Sequence, residues 1–436
     1  MAIRGPEGPF PVLQAALDFV EIDRALKLAA EAVSGGADWL EAGTPLIKSE
    51  GLDAVRRLRE AFPDRVIVAD MKTMDAGRLE VESAAKAGAN IAVVLGAASE
   101  ATIRQCIEAG RNYGCRVYVD TLGLADPVSR AKEAEAWGAD YIGVHVPVDE
   151  QMRGGSGFET LRAVARAVAI PVAAAGGVTS ETAPLLVEAG ASIVIVGGAI
   201  HKAENAREAA ATIRRALDEG RPVATELYKR GGEADIRAIL SRVSSSNFSD
   251  ALHRGGVLDG LRCLTPGRKL VGPALTVRTA PGDWAKPVEA IDLAREGDVL
   301  VVDAGGVPPA VWGACATQSA VGRALAGVAI FGYVRDIDEI LEMALPVFAC
   351  GVVPHAGEPR GFGEIGVPVL AGGRRVSPGD WLLGDGCGVV SVERARAVEY
   401  ANRAQDVFEL ENRLHAEIGQ GSTLGRVAHL LRWEKK

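Results

Sequence analysis

The stretch Val66–Asp75 reads VIVADMKTMD. It opens as an apolar run of β-branched and small residues, the pattern of a strand buried on both faces in a parallel sheet. It closes on Asp70, Lys72 and Asp75. Alternation along a strand sends Asp70 and Lys72 to one face and Met71 to the other. Asp75 falls just past the strand, in a loop or helix start. Two carboxylates and an ammonium at the mouth of a buried strand cost free energy unless they are paired or used. On this stretch alone, a structural ion pair and a reactive site fit equally well.

Working outward, residues 12–218 repeat one theme. Apolar runs at 12–18, 39–43, 66–72, 91–96, 116–121, 141–146, 171–177 and 193–199 alternate with amphipathic helix-like segments. Several of those segments end in a glycine C-cap, within SGGAD, KAGAN, WGAD and EAGAS. Eight strands alternating with eight helices in about 210 residues is the pattern of a (β/α)8 TIM barrel. A doubly wound open sheet is the alternative, but no G-x-G-x-x-G follows the first strand.

In such a barrel, chemistry gathers at the C-terminal ends of the strands. Those ends carry Asp18, Glu41, Asp70 with Lys72, Asp120 and His145, on strands one, two, three, five and six. Strands seven and eight end in Gly176-Gly177 and Gly197-Gly198, which suit a phosphate held by backbone N–H groups, or serve only as tight turns. Glu41 and Asp70 are hard oxygen ligands on adjacent strands, fit for Mg²⁺ (with Mn²⁺ as a substitute), where a metal would stabilise an enediolate. Lys72, ringed by carboxylates, is expected to stay protonated, as a proton donor or electrostatic clamp rather than a Schiff-base nucleophile. His145 can shuttle a proton at neutral pH, or be a satisfied buried histidine. The reaction these groups suit is conversion of a sugar phosphate through an enediolate.

The whole chain has 436 residues, enough for two or three domains. It is 48% hydrophobic and 24% charged, so a globular protein is expected, and its net charge of −9 argues against a nucleic-acid surface. Six cysteines are scattered without C-x-x-C spacing, which fits reduced thiols in a cytoplasmic protein. No uncharged run is long enough to cross a membrane, and the first apolar run is broken by Pro11 and carries Asp18, unlike a signal peptide.

Residues 218–235 break the apolar rhythm with charges, Pro222 and Gly231-Gly232. The expected division is a barrel over 1–218, a linker over 219–234 and a second α/β domain over 235–436 with a C-terminal helix near 392–418. In that domain, strands are expected at 269–277, 298–306, 327–332, 346–351, 368–373 and 380–385. Helices are expected near 311–325 and at 244–252, the latter capped by Asn247 or Ser249. Backbone N–H groups near Gly305-Gly306 and Trp312-Gly313 could hold a carboxylate. Arg335 could grip one in bidentate fashion, and Asp336 could bind Mg²⁺ or merely begin a helix.

Two resemblances sharpen this reading. A-L-D at Ala16–Asp18, E-A-G at Glu41–Gly43 and D-x-K-x-x-D at Asp70–Asp75 resemble the orotidine-monophosphate decarboxylase superfamily. With V-H-x-x-x-D-x-Q at Val144–Gln151, the first half resembles its 3-hexulose-6-phosphate synthase branch. That resemblance implies Mg²⁺-dependent, reversible condensation of formaldehyde with D-ribulose 5-phosphate. Glu41 and Asp70 would bind the metal, Asp18 substrate hydroxyls, and Lys72 and His145 would handle protons. Asp75 would reach into a partner subunit, which implies a dimer. The related 3-keto-L-gulonate-6-phosphate decarboxylases are the rival branch. In the second half, DALHRGG, WGACAT, GYVRDIDEI and PVLAGGRRVSPGDWLLGDGCGVV resemble the RraA-like family. That family includes ribonuclease regulators and class II 4-hydroxy-4-methyl-2-oxoglutarate aldolases. It implies Arg335 on a 2-keto-acid carboxylate, Asp336 on a divalent metal, and a trimer. A dimeric barrel fused to a trimeric domain would assemble as a homo-oligomer as large as a hexamer. Binding to ribonuclease machinery is the regulatory alternative.

Overall fold

The computed structural model describes residues 11–153 and 157–428. The chain forms two compact units. Among the described residues, one comprises 11–151, 157–230 and 409–428, and the other 231–408 with 152–153. No helix among the described residues is long and apolar enough to cross a membrane. All six cysteines are free thiols.

The first unit is a closed parallel barrel. Its strands are β1 (Val12–Leu17), β2 (Trp39–Ala42), β3 (Val66–Thr73), β4 (Ile91–Leu95), β5 (Arg116–Asp120), β6 (Tyr141–His145), β7 (Val172–Ala175) and β8 (Ile193–Val196), ordered as in the chain. Parallel pairing of β8 with β1 closes the ring, and so excludes the open doubly wound sheet.

The glycine-capped segments do more than end helices. Gly-Ala-polar recurs four times, as Gly36–Asp38, Gly88–Asn90, Gly138–Asp140 and Gly190–Ser192. The four glycines have φ of 98°, 105°, 98° and 111°, a conformation cheap only without a Cβ. The polar residue then stands just before an even-numbered strand. Its backbone N–H donates to the preceding odd strand, at Leu13, Ile67, Val117 and Val172, over 2.8–3.0 Å. In the first three the side chain also accepts that strand's N–H, each at 2.8 Å. One βαβα unit used four times thus sets the register around the barrel.

Alternate residues fill the interior: Val12, Ala16, Trp39, Val68, Ile91, Val93, Tyr118, Tyr141, Ala173, Ile193 and Ile195. Trp39 and Tyr141 meet edge to face at 5.9 Å. A Cβ at Gly143 would overlap the Tyr118 hydroxyl, so β6 carries glycine where the β5 ring crosses. The opposite parity, including Leu13, Leu17, Leu40, Ile67, Val119 and Ile142, packs under the surrounding helices. The inward parity continues past the apolar layers to Asp18, Glu41, Asp70, Asp120, His145 and Gly197. The same period that builds the core therefore aims the polar groups at the barrel mouth.

The second unit has a mixed sheet. Its strands are β9 (Arg262–Cys263), β10 (Leu270–Thr279), β11 (Val299–Asp303), β12 (Ala310–Trp312), β13 (Gly327–Val334), β14 (Val347–Val352), β15 (Gly363–Ile365), β16 (Val369–Ala371), β17 (Arg374–Val376), β18 (Trp381–Asp385) and β19 (Gly388–Val392). The main order is β19-β18-β10-β11-β13-β14-β9, parallel from β10 to β14 and antiparallel at both ends. β12 pairs with β13, β15 with β10, and β16 with β17.

Three local expectations are corrected. Val311 and Trp312 lie in β12, and the helix begins only at Ala314, running to Gly322. The helix Ser245–Ala251 is capped by Ser244, whose hydroxyl accepts the Asn247 N–H at 3.0 Å; Asn247 returns the bond to the Ser244 amide. The last long helix spans Ala397–Gly419, and its residues from 409 onward belong to the first unit.

Candidate active sites

At the barrel mouth, Lys72 is the centre of a charge cluster. Its Nζ lies 2.8 Å from Asp120 Oδ2 and 3.0 Å from Asp70 Oδ1. Alternation sends it to that face, but the strand that carries it there is not regular. The β3–β4 register shifts between Ala69 and Thr73, and Lys72 has a left-handed φ of 49°. A non-glycine residue held in that region is strained, and such strain persists where surrounding contacts fix it. Burial disfavours the Lys72 charge, but Asp120 and Asp70 outweigh it and raise its pKa. The ammonium stays protonated, as expected from its neighbours.

Asp120 is almost wholly buried. Burial would raise its pKa, but His145, whose Nδ1 lies 3.6 Å away, together with Lys72, holds it at about 2. Asp70 accepts from the Thr44 hydroxyl at 2.9 Å besides pairing with Lys72. Glu41, also buried, accepts from the Gln14 amide. Burial, then the charges of Asp70 and Asp18, push the Glu41 carboxyl well above the usual range. Asp18 opens to solvent yet is closely surrounded by protein, and that crowding, with Asp70, raises its pKa too. Its carboxylate occupies the space a Cβ would need at Gly43 and lies 3.2 Å from the Cβ position of Gly197.

The glycine pairs flank this cluster. Gly176 and Gly177 have φ of 101° and 67°. The buried Gln151 amide lies beneath them, donating to Val146 O at 2.8 Å. Gly197 borders Asp18, and Gly198 opens the short helix Gly198–His201. Asp75 is exposed and does not join the cluster; its Oδ1 accepts the Ala76 N–H at 2.7 Å.

Among the described residues, no group of three or more His, Cys, Asp or Glu side chains is arranged to hold a metal. Glu41 and Asp70 form a two-carboxylate set, and Mg²⁺ is commonly held by one or two carboxylates with waters and substrate oxygens. Burial first, and then the charges of Asp70 and Asp18, lift Glu41; a divalent cation would offset those charges, so the donor set fits.

In the sequence, Asp120 is marked only by its place at a strand mouth, and Thr44 carries no signal of its role. Gln14 had a signal: a polar residue on the inward parity of an apolar strand.

In the second unit, Trp312, Gly313, Arg335 and Asp336 line one cavity of about 250 Å³, with Trp284, Cys315 and Ser319 among its other walls. Asp336 takes the N-cap position of the helix Ile337–Glu342, but its side chain makes no capping hydrogen bond. Its backbone is left-handed, φ 58°, and its Oδ2 accepts the Ala314 N–H at 3.2 Å and lies 3.5 Å from Arg335 Nε. A Cβ at Gly313 would lie 2.5 Å from that oxygen, so only glycine admits it. The amides of Gly305 and Gly306 are not free for a ligand. They donate to Asp303 Oδ1 and to Phe331 O, both at 3.1 Å.

Comparison with known proteins finds a match for each half of the chain. Residues 11–213 match the family described as Orotidine 5'-phosphate decarboxylase / HUMPS, and residues 245–391 match the RraA-like family, described as Aldolase/RraA. The chain is 40% identical over 205 residues to 3-hexulose-6-phosphate synthase of Mycobacterium gastri, covering 47% of this chain and 99% of that protein. It is 40% identical over 209 residues to the synthase of Bacillus subtilis (strain 168), covering 48% and 99%. A crystal structure of 3-hexulose-6-phosphate synthase aligns at 40% identity and a TM-score of 0.46, over 48% of this chain and all of that one. The chain thus belongs, through its barrel, to the Orotidine 5'-phosphate decarboxylase / HUMPS family, on its 3-hexulose-6-phosphate synthase side, and carries an RraA-like domain after it.

Proposed function

We propose that the barrel joins formaldehyde to D-ribulose 5-phosphate, reversibly, to give 3-hexulose 6-phosphate. That the chain is an enzyme with lyase activity follows from its identity with the synthases over nearly their whole length. The observation that carries the finer reading is the Lys72–Asp120–His145 group set beside Glu41 and Asp70.

His145 Nδ1 faces Asp120, which leaves Nε2 to take the proton from C1 of the ketose phosphate. The resulting C1 carbanion, delocalised as an enediolate, attacks the formaldehyde carbon. The aldehyde oxygen then takes a proton from the Lys72 ammonium or the His145 imidazolium, and a new C–C bond stands between them. Mg²⁺, held by Glu41 and Asp70, would supply positive charge to the developing enediolate oxygens. Asp18 would orient substrate hydroxyls, and the backbone around Gly176-Gly177 and Gly197-Gly198 would receive the phosphate. Exposed Asp75 suits a role in a partner subunit's site, and with it a homo-oligomer.

The test is to supply ribulose 5-phosphate, formaldehyde and Mg²⁺ and follow formaldehyde loss, with Asp70→Ala and a chelator as controls. Release of CO₂ from 3-keto-L-gulonate 6-phosphate, with no formaldehyde consumed, would replace this reading by the rival branch.

For the second unit the cavity bearing Arg335 and Asp336 favours a 2-keto-acid lyase, Arg335 on the carboxylate and Asp336 on a divalent cation. Cleavage of 4-hydroxy-4-methyl-2-oxoglutarate to pyruvate tests it. No pyruvate, with capture of ribonuclease machinery instead, would favour the regulatory role.

A further inference from the structure

The loop after β8 is held from outside by residues beyond 213, where the match to the barrel family ends. Tyr228 is buried, with a left-handed φ of 55°, and its ring fills the space where Gly198 would otherwise bear a Cβ. The ring is faced by the Arg230 guanidinium at 4.1 Å and by Lys202 Nζ at 5.4 Å. Glu409, on the last long helix, fixes this arrangement. It accepts the Tyr228 N–H at 2.8 Å and pairs with Arg230 Nη2 at 2.9 Å.

One turn further along that helix, Arg413 reaches the other end of the same loop. It donates to the carbonyls of Ala203 and Glu204, at 3.3 and 3.2 Å. Its remaining bonds go to both Glu31 carboxylate oxygens, at 3.1 and 3.2 Å, and to Glu417 at 2.9 Å. Glu417 in turn pairs with Arg24 at 3.0 Å. Both ends of the four-residue helix Gly198–His201 are therefore clamped, one by a ring under Gly198 and one by a guanidinium on the carbonyls at 203–204.

The matched synthases are already covered to 99% by 205–209 residues, and the barrel family's match ends at residue 213. Residues 228–230 and 409–427 lie beyond that. We propose that Tyr228 and Arg413 are positioning residues for the barrel's sugar-phosphate site, so that the C-terminal segment at 409–427 is a working part of the first unit. The proposal rests on the reading of Gly197-Gly198 as part of the phosphate cradle. A backbone cradle binds through amide directions, so its affinity depends on how rigidly the loop is held. The clamp touches neither the Glu41–Asp70 pair nor the Lys72–Asp120–His145 group, so it acts on binding and not on proton transfer.

The experiment uses the full chain and its variants Tyr228→Ala, Tyr228→Phe and Arg413→Gln. Calorimetry measures binding of inorganic phosphate and of ribulose 5-phosphate, and steady-state assays give KM and kcat. Tyr228→Ala and Arg413→Gln are expected to weaken both ligands about tenfold or more, with kcat changed no more than about threefold. Tyr228→Phe keeps the ring and should bind like the unaltered chain. Circular dichroism checks that each variant folds. Should Arg413→Gln fail to fold, Tyr228→Ala against Tyr228→Phe decides alone, with Tyr228→Leu standing in for the alanine variant if that too is unfolded. Equal affinities in folded Tyr228→Ala and the unaltered chain, or no phosphate binding by the unaltered chain, would overturn the proposal. Phosphate binding that weakens in the variants, without formaldehyde-dependent turnover in any of them, would sustain it and reject the substrate reading instead.

Discussion

Asp120 Oδ2 stands 2.8 Å from Lys72 Nζ and 3.6 Å from His145 Nδ1, so one buried carboxylate faces both proton-handling groups of the barrel. An oxygen shared in this way fixes the charge of the lysine and the orientation of the imidazole together.

Asp120→Asn keeps the shape of that group and removes its charge. Lys72 then retains only Asp70 among its two direct partners, and His145 loses its orienting anion. We expect kcat to fall by about 10²–10⁴, the usual range for a lost acid–base function, with KM for the sugar phosphate little changed. An unaltered kcat in steady-state assays would remove Asp120 from the chemistry.

Glu41→Gln should separate stability from function. The carboxyl is buried, and burial together with Asp70 and Asp18 disfavours its charge. Without metal, folded Glu41 holds its proton at pH values where the unfolded chain has released it, so ionisation costs stability as pH rises above the ordinary value of 4.5. The glutamine ends that cost while keeping a partner for Gln14. Thermal unfolding at pH 7 with a chelator should show a melting temperature about 3 °C higher than the unaltered chain. Turnover with Mg²⁺ should fall about a thousandfold. A lower melting temperature would mean that Glu41 is stabilised as an anion by a contact other than a cation.

The barrel was readable from the sequence because its two governing patterns are local. Alternation in short apolar runs marks the strands, and Gly-Ala-polar marks the turns that set their register. The charged strand ends were readable for the same reason, since Asp18, Glu41, Asp70, Asp120 and His145 share the inward parity of the core. The left-handed bulge at Lys72 was not, because alternation alone already sent Lys72 the right way and hid the strain. Gln14 and Thr44 act across strands, and their partners follow only from register. β12 is three residues long, wedged between Pro308-Pro309 and a helix, and too short to show a period. The segment from Glu409 onward reads as an amphipathic helix, a pattern that tells which face is buried but not against which surface.

Asp336 offers a test inside the second unit alone. Its left-handed backbone is cheap for glycine and costs roughly 1 kcal/mol for alanine, while neither substitute can accept the Ala314 N–H. Asp336→Gly and Asp336→Ala should therefore both lose any keto-acid cleavage, yet differ in local stability. Hydrogen exchange of the β13 amides should show an opening free energy about 1 kcal/mol lower in the alanine variant. Equal protection in the two would mean that the backbone relaxes out of the left-handed region once the carboxylate is gone.

Acid should release the C-terminal segment before it breaks the Lys72–Asp120 pair of the barrel. Burial opposes the Glu417 charge, but Arg24 and Arg413 outweigh it and hold the carboxyl below its ordinary 4.5. A carboxyl with a depressed folded pKa contributes stability that is complete well above the unfolded value and is lost as pH falls through the folded one. For Glu417 that loss begins near pH 4.5. Asp120, ordinarily 3.8 and held at about 2, gives way over a lower window, from near pH 4 down to about pH 2. Hydrogen exchange from pH 6 to pH 3 should show the amides of 409–427 losing protection first, while β5 stays protected. Glu417→Gln imitates the protonated carboxyl at every pH. It should show weaker protection of the segment already at pH 6 and a flatter response below pH 4.5. A segment that stays protected to pH 3 in both proteins would mean that Arg413 is held well enough by Glu31 and the 203–204 carbonyls for Glu417 to be dispensable.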